Sequence, residues 1–250
     1  MDITGGIFYS EYGNDPEIET PTGYVYEFNG LVDGKTELDL YGIENNSDII
    51  APVSTNITIP KTALFELIFV NGGSTGNLSK GTVYSGRKYG VNGASGSVFV
   101  GKIKLKAGTY PLKLAGNVLY TKPTNIETTS VGKSGQSSNF AGITLTASKF
   151  GQVVVGDSRY GLSTSTRATG GTVQINDESI IIEKIIKADG VSGDYPTSNT
   201  SSSLRAYCAL EEFYDKYGIR YRGAGSSCYI NYNYLKSGPG YFKLTHIKNL

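Results

Sequence analysis

The sequence predicts an all-β protein: a sandwich or jelly-roll-like domain with glycine-rich loops and one short inserted helix. Three observations point there. Apolar residues alternate with period two in one segment after another. Glycine, at 33 of 250 residues, is about twice as frequent as in an ordinary globular chain, which calls for many turns. Only one stretch combines helical spacing with a cap and a stop.

Five alternating segments stand out: Ala63–Asn71, Ser97–Leu105, Thr109–Leu114, Gly142–Ala147 and Gly240–Ile247. In the first, Ala63, Phe65, Leu67 and Phe69 share one face and Leu64, Glu66, Ile68 and Val70 the other, so both faces are largely apolar and the strand belongs in the middle of a sheet. In Ser97–Leu105, Lys102 and Lys104 lie opposite Phe99, Ile103 and Leu105, as expected of a half-exposed strand. The run Ile180–Ile186 suits a strand, with a helix as the lesser option. Nine glycines from Gly72 to Gly101, interleaved with Ser, Thr, Asn and Lys, mark either long loops or backbone packed against backbone. The helix spans Ser203–Tyr217: Ser202 or Ser203 caps it, Gly218 stops it, and Leu204, Cys208, Leu210 and Tyr214 form its packing face.

Residues 1–54 form a separate zone rich in Glu, Asp, Tyr and Gly, with strand-like runs at Gly23–Phe28 and Thr36–Tyr41 too short to hold a core alone. The β-domain then occupies residues 55–250, with the helical insertion near residues 203–217.

Charge and motif content narrow the function. The net charge of +1 offers no basic field for a phosphate backbone, so nucleic acid is not an expected partner. The longest apolar run, Ala63–Val70, falls far short of the ~18 residues that cross a bilayer, and no membrane insertion is expected. The first residues, MDITGGIFYSEYGNDPEIET, read as lacking a secretory signal. Cys208 and Cys228 are read as packed free thiols in preference to a disulfide, and not as a metal site.

No catalytic constellation can be assembled. His246, the only histidine, lies in an alternating strand with no motif-spaced partner and reads as a surface or packed strand residue. IETTSVGKSG ends like a phosphate-binding loop, but Glu127 replaces the glycine that such a loop requires. The acidic pairs Asp177/Glu178 and Glu211/Glu212 read as solvated faces. The Asn-x-Ser/Thr sequons at Asn45, Asn56, Asn77 and Asn199 are expected by chance in so polar a chain. The reading is therefore non-enzymatic, with no catalytic residue, cofactor or metal.

A candidate contact surface does stand out. Tyr217, Tyr221, Tyr229, Tyr232, Tyr234 and Tyr241 crowd the C-terminal part among glycines, serines and asparagines. As a strand, SSCYINYNY would put Tyr229, Asn231 and Asn233 on one face and Ile230, Tyr232 and Tyr234 on the other. Such residues give rigid aromatic contacts beside adaptable hydrogen-bonding groups. Half-buried tyrosines that merely pack strands are the equal alternative.

The order of four motifs, ITIPKTALFELIFVNGGSTG, GASGSVFVGKIKLKAGTYPLKLAG, GKSGQSSNFAGITLTASKFGQ and SGPGYFKLTHI, resembles the glycine-rich domain of bacteriophage tail-fibre and appendage proteins over roughly residues 55–248. The corresponding pieces are Ile57–Pro60, Ala107–Tyr110, Gly135–Gly142 and Gly238–Tyr241. The resemblance implies a virion protein projecting from the particle; residues 1–54 lie outside the match and, too poor in apolar residues to fold alone, are expected to attach the protein to other virion proteins. The resemblance also implies contact with the host surface, a glycan being one target, and a homotrimer. Two features depart from that family. The glycine runs never exceed Gly-Gly, so ordinary β-loops are expected here in place of a bundle of polyglycine helices. An insertion from about Glu183 to Tyr221 also stands where the family has glycine loops. A polysaccharide-cleaving enzyme and a bacterial surface adhesin are the competing readings.

Overall fold

The computed structural model describes residues 25–27, 37–42, 52–80, 88–121, 132–155, 162–190, 192, 197–198 and 234–250. The predicted helix and both cysteines lie outside the described residues.

The all-β prediction holds. Two sheets face each other across one apolar core. The first has six strands in the order Val25–Glu27, Val53–Ile59, Gly108–Leu114, Ser138–Phe140, Ile143–Leu145, Val173–Ile175. The second has five, in the order Ile181–Ala188, Val98–Leu105, Ala63–Val70, Tyr241–Asn249, Glu37–Tyr41. All pairings are antiparallel except Val25–Glu27 beside Val53–Ile59. Ala63–Val70 occupies the middle of its sheet, as its two apolar faces predict. Phe65, Leu67 and Phe69 point into the core with Phe99, Ile103 and Leu105 of its neighbour. Across the core, Phe140 stacks edge-on against Phe242 at 4.8 Å, and Phe242 against Phe69 at 5.6 Å. Aromatic packing of this kind adds to the burial of each ring.

Ile181–Ala188 is a strand, the favoured of its two readings, preceded by a single 3-10 turn at Glu178–Ile180. Its ladder to Val98–Leu105 skips Ile182 and Ile185, two bulges that leave both side chains exposed. The two short strands of the N-terminal zone each end one of the two sheets, and Leu40 enters the core.

The glycine-rich segments depart from ordinary β-loops. Of the two options in the sequence, they take the second: 71–76 and 92–97 are buried, packed backbone against backbone. They are not strands either. Each continues the register of the pairing below it, but the bonds to any one partner recur every third residue. Asn71 N–H donates to Ser97 O and Ser74 N–H to Ala94 O, and Asn77 then faces Val91. Thr146, Lys149 and Gln152 likewise face Thr172, Thr169 and Thr166, and Ala115 and Val118 face Gly240 and Ser237. The residues between bond elsewhere: Gly73 N–H donates to Gly238 O and Thr75 N–H to Lys133 O. A β-strand has two hydrogen-bonding neighbours, whereas 71–76 has three by its backbone alone. Three residues per turn, with every backbone bond made to another segment, is the habit of a polyproline-II-type helix.

Short glycine runs are therefore compatible with dense packing of these segments. Glycine is needed only where a residue faces a neighbouring carbonyl: a Cβ at Gly93 or Gly96 would lie 2.1 Å from Ser74 O or Asn71 O. Ser, Thr, Asn and Ala fill the other positions.

Candidate functional site: the end away from the sandwich

Beyond the bundle the segments resume pairing as short ladders. Asn77–Lys80 pairs with Lys88–Val91, which also pairs with Thr197–Ser198. Val153–Val155 pairs with Leu162–Ser165, and Leu119–Thr121 with Tyr234–Lys236. Each limb thus runs from sandwich through bundle to this end, and a six-residue segment such as 71–76 separates the two by about 19 Å at the rise of a polyproline-II helix. Residues 81–87 join Lys80 to Lys88, and 156–161 join Val155 to Leu162. Residues 122–131 and 199–233 are attached at Thr121, Gly132, Ser198 and Tyr234. All these attachment points belong to this end of the fold.

Of the candidate contact residues, Tyr229, Asn231, Tyr232 and Asn233 lie outside the described residues. Tyr234 opens the strand whose backbone faces Thr121, which puts the attachment of the tyrosine-rich stretch at this end. What sequence reading missed is the frame beneath it. Its signal is local: Gly90, Gly93 and Gly96 recur every third residue, as do Gly73 and Gly76, and Gly132 and Gly135.

The frame is held by a buried polar network. Asn71, Ser74 and Asn77, three residues apart, have no solvent exposure. Asn71 Nδ2 donates to Thr146 O at 2.7 Å and Asn77 Nδ2 to Gly151 O at 3.2 Å, both on one further limb. Ala115 N–H donates to Ser138 Oγ at 2.9 Å, and that hydroxyl donates to Asn71 Oδ1 at 2.7 Å. Ser74 Oγ accepts from Ala94 N–H at 2.8 Å. Buried polar groups are tolerable when paired in this way, and a paired network fixes one arrangement.

The near-miss motifs take structural places. Gly132–Ser134 of the GKS sequence belongs to the bundle: Lys133 N–H donates to Thr75 Oγ1 at 2.7 Å, and its carbonyl accepts from Thr75 N–H. Asn77 of one sequon is buried in the bundle. His246 is a packed strand residue with no exposure, edge-on to Phe65 and 3.3 Å from Asn249 Oδ1 through Nε2. Asp177 caps the 3-10 turn, and hydrogen bonds from the side chain and backbone of Ser179 hold its carboxyl below the usual range. Glu178 pairs with Lys184 at 2.8 Å. Among the described residues no group of three or more His, Cys, Asp or Glu could hold a metal ion, and no helix is long and apolar enough to cross a membrane. The pair Glu211/Glu212 lies outside the described residues.

No protein-family profile matches the chain, and no curated protein is significantly similar to it.

Proposed function

We propose that this is a non-enzymatic structural protein of a bacteriophage particle, a tail or head fibre or a component of one, that attaches at one end and contacts the host surface at the other. The observation that carries the reading is the through-going architecture. A buried, cross-bonded bundle holds the attachment points of 81–87, 122–131, 156–161 and 199–233 together at the end away from the apolar core. Such a frame supports the reading because a binding surface made of varied segments needs a base that does not move with them. The tyrosines and asparagines of Tyr229–Tyr234 belong to one of these segments, and their mixture of aromatic faces with amide and hydroxyl groups suits a surface glycan.

The N-terminal zone, residues 1–54, is the proposed attachment to other virion proteins. Among the described residues its strands are the last of their sheets, where an added strand of a partner can pair. A homotrimer is proposed by analogy with phage fibres alone. The test is the composition of purified particles: the protein should be present in a multiple of three copies, and a chain lacking residues 1–24 should fold but fail to enter the particle. Absence from purified particles would sink the reading. The competing enzyme reading predicts new reducing ends when host polysaccharide is incubated with the protein, and the appendage reading predicts none. The adhesin reading predicts the protein on a bacterial surface in place of the particle.

A further inference from the structure

Resting on that reading, in which one end is held and the other makes contact, we propose a mechanical function. The three-residue-period bundle transmits pulling force from the contact end to the sandwich, by loading its inter-limb hydrogen bonds together in shear.

The geometry is specific. The limb 63–80 is tied across its length to several others: to 91–97 through Asn71 and Ser74, to 237–240 through Gly73, to 132–135 through Thr75, and to 146–151 through the Asn71 and Asn77 amides. These bonds lie across the limb, so withdrawing it along its axis strains all of them at once, and none can fail early without the rest. A steric lock adds to this. Gly93 and Gly96 sit where any Cβ would lie 2.1 Å from a carbonyl oxygen of 71–74. Sliding the 92–97 limb by one residue puts Asn92 and Ser95, or Ala94 and Ser97, at those two places. The smallest slip that returns glycine is three residues, which brings Gly90 and Gly93 to both places in one direction and Gly96 to one of them in the other. Force applied across the limbs meets no such lock. At the base, Ile181–Ala188 can be peeled from Val98–Leu105 starting where Ile181 faces Ile103, one bond at a time, past two bulges.

The test is single-molecule pulling on the full chain with Cys208 and Cys228 replaced by Ser, through handles on introduced cysteines. Ala107→Cys with Gln152→Cys, one at the base and one at the far end and both exposed, pulls along the limbs. Ala107→Cys with Glu178→Cys, both exposed at the base, pulls across them. Forced unfolding follows the unfolding rate in the direction pulled. The axial pair is expected to rupture in one event at several-fold higher force than the transverse pair. Equal forces in the two directions, or axial extension in a series of small steps, would overturn the proposal. Melting curves check that each pair folds. Should one fail, Lys106→Cys with Arg167→Cys repeats the axial geometry and Lys104→Cys with Ile182→Cys the transverse one. No receptor is present in this experiment, so its failure leaves the contact reading standing, and loss of the contact reading leaves the measured forces intact.

Discussion

A methyl group on Gly96 would sit 2.1 Å from the carbonyl oxygen of Asn71, a residue whose own N–H is bonded one position away, to Ser97 O at 2.9 Å. The bonded contact and the close approach come from the same packing, so one cannot relax without disturbing the other. Gly96→Ala is therefore expected to lower stability by about 3 kcal/mol, the upper range for overpacking a dense interior. Ala107→Ser, on an exposed turn, should stay within about 0.5 kcal/mol of wild type. Urea unfolding of the two variants side by side decides it, and equal midpoints would mean that the bundle is loose.

The sandwich was legible in the sequence and the bundle was not, for a physical reason. Strands such as Ala63–Val70 and Ser97–Leu105 bury side chains on a known face, so period two shows as apolar alternation, and the lysine face of Lys102 and Lys104 showed as well. In the bundle the buried matter is mainly backbone with Ser, Thr and Asn, and no hydrophobic pattern is written. What is written, glycine at 90, 93 and 96, was masked by the abundance of glycine elsewhere and by the expectation that such a bundle needs unbroken glycine runs. The candidate contact residues were found by composition alone, which marks a stretch of unusual chemistry but no geometry.

Ser138 connects two limbs that differ in sequence by more than twenty residues, accepting from Ala115 N–H and donating to Asn71 Oδ1. Ser138→Ala leaves both groups buried without that partner. The expected loss is about 2–3 kcal/mol, the cost of stranding buried polar atoms. Amide exchange at Ala115 should accelerate in parallel, and an unchanged exchange rate there would show that another group takes over.

The two-residue connection between Ser138–Phe140 and Ile143–Leu145 puts Ala141 at φ 46° and Gly142 at φ 79°. Tight hairpins of this hand favour Asn-Gly, because a residue with a Cβ is strained there unless its side chain is Asn or Asp. Ala141→Asn is expected to stabilise the protein by up to about 1 kcal/mol, a rise in melting temperature of about 2–4 °C for a chain of this size. A fall in melting temperature would contradict the turn geometry.

Lys102 and Glu183 form an exposed ion pair at 2.6 Å, and the hydrogen bond and charge of Glu183 raise the lysine pKa above its ordinary 10.5. A pKa raised by folding contributes stability that is fully present below the unfolded value and fades as pH climbs through the folded one. Exposure makes the contribution small and sensitive to salt. Wild type should therefore melt slightly above Glu183→Gln at neutral pH and low salt, and the two curves should merge above pH 10.5. A difference that persists in strong alkali or high salt would assign Glu183 a role other than charge.

The contact reading makes its sharpest demand on Tyr229 and Asn231, which the alternation of SSCYINYNY would put on one side of a strand leading into Tyr234–Lys236. The sandwich and bundle are paired within themselves, and the tyrosine-rich stretch is joined to them through a three-residue ladder with Leu119–Thr121. Truncating two side chains in that stretch should leave the frame intact, so Tyr229→Ala with Asn231→Ala is expected to melt within about 1 kcal/mol of wild type, as surface changes usually do. Particles carrying the double variant should adsorb to host cells about five- to hundredfold more slowly, since two contacts of aromatic and amide type together contribute about 1–3 kcal/mol. Replacing Ile182 and Ile185 by Ser, on the sandwich edge, should leave adsorption unchanged and serves as the control. Normal adsorption by the tyrosine variant with correct assembly would remove this stretch from the contact surface, and a large loss of stability would instead make these residues part of the packing.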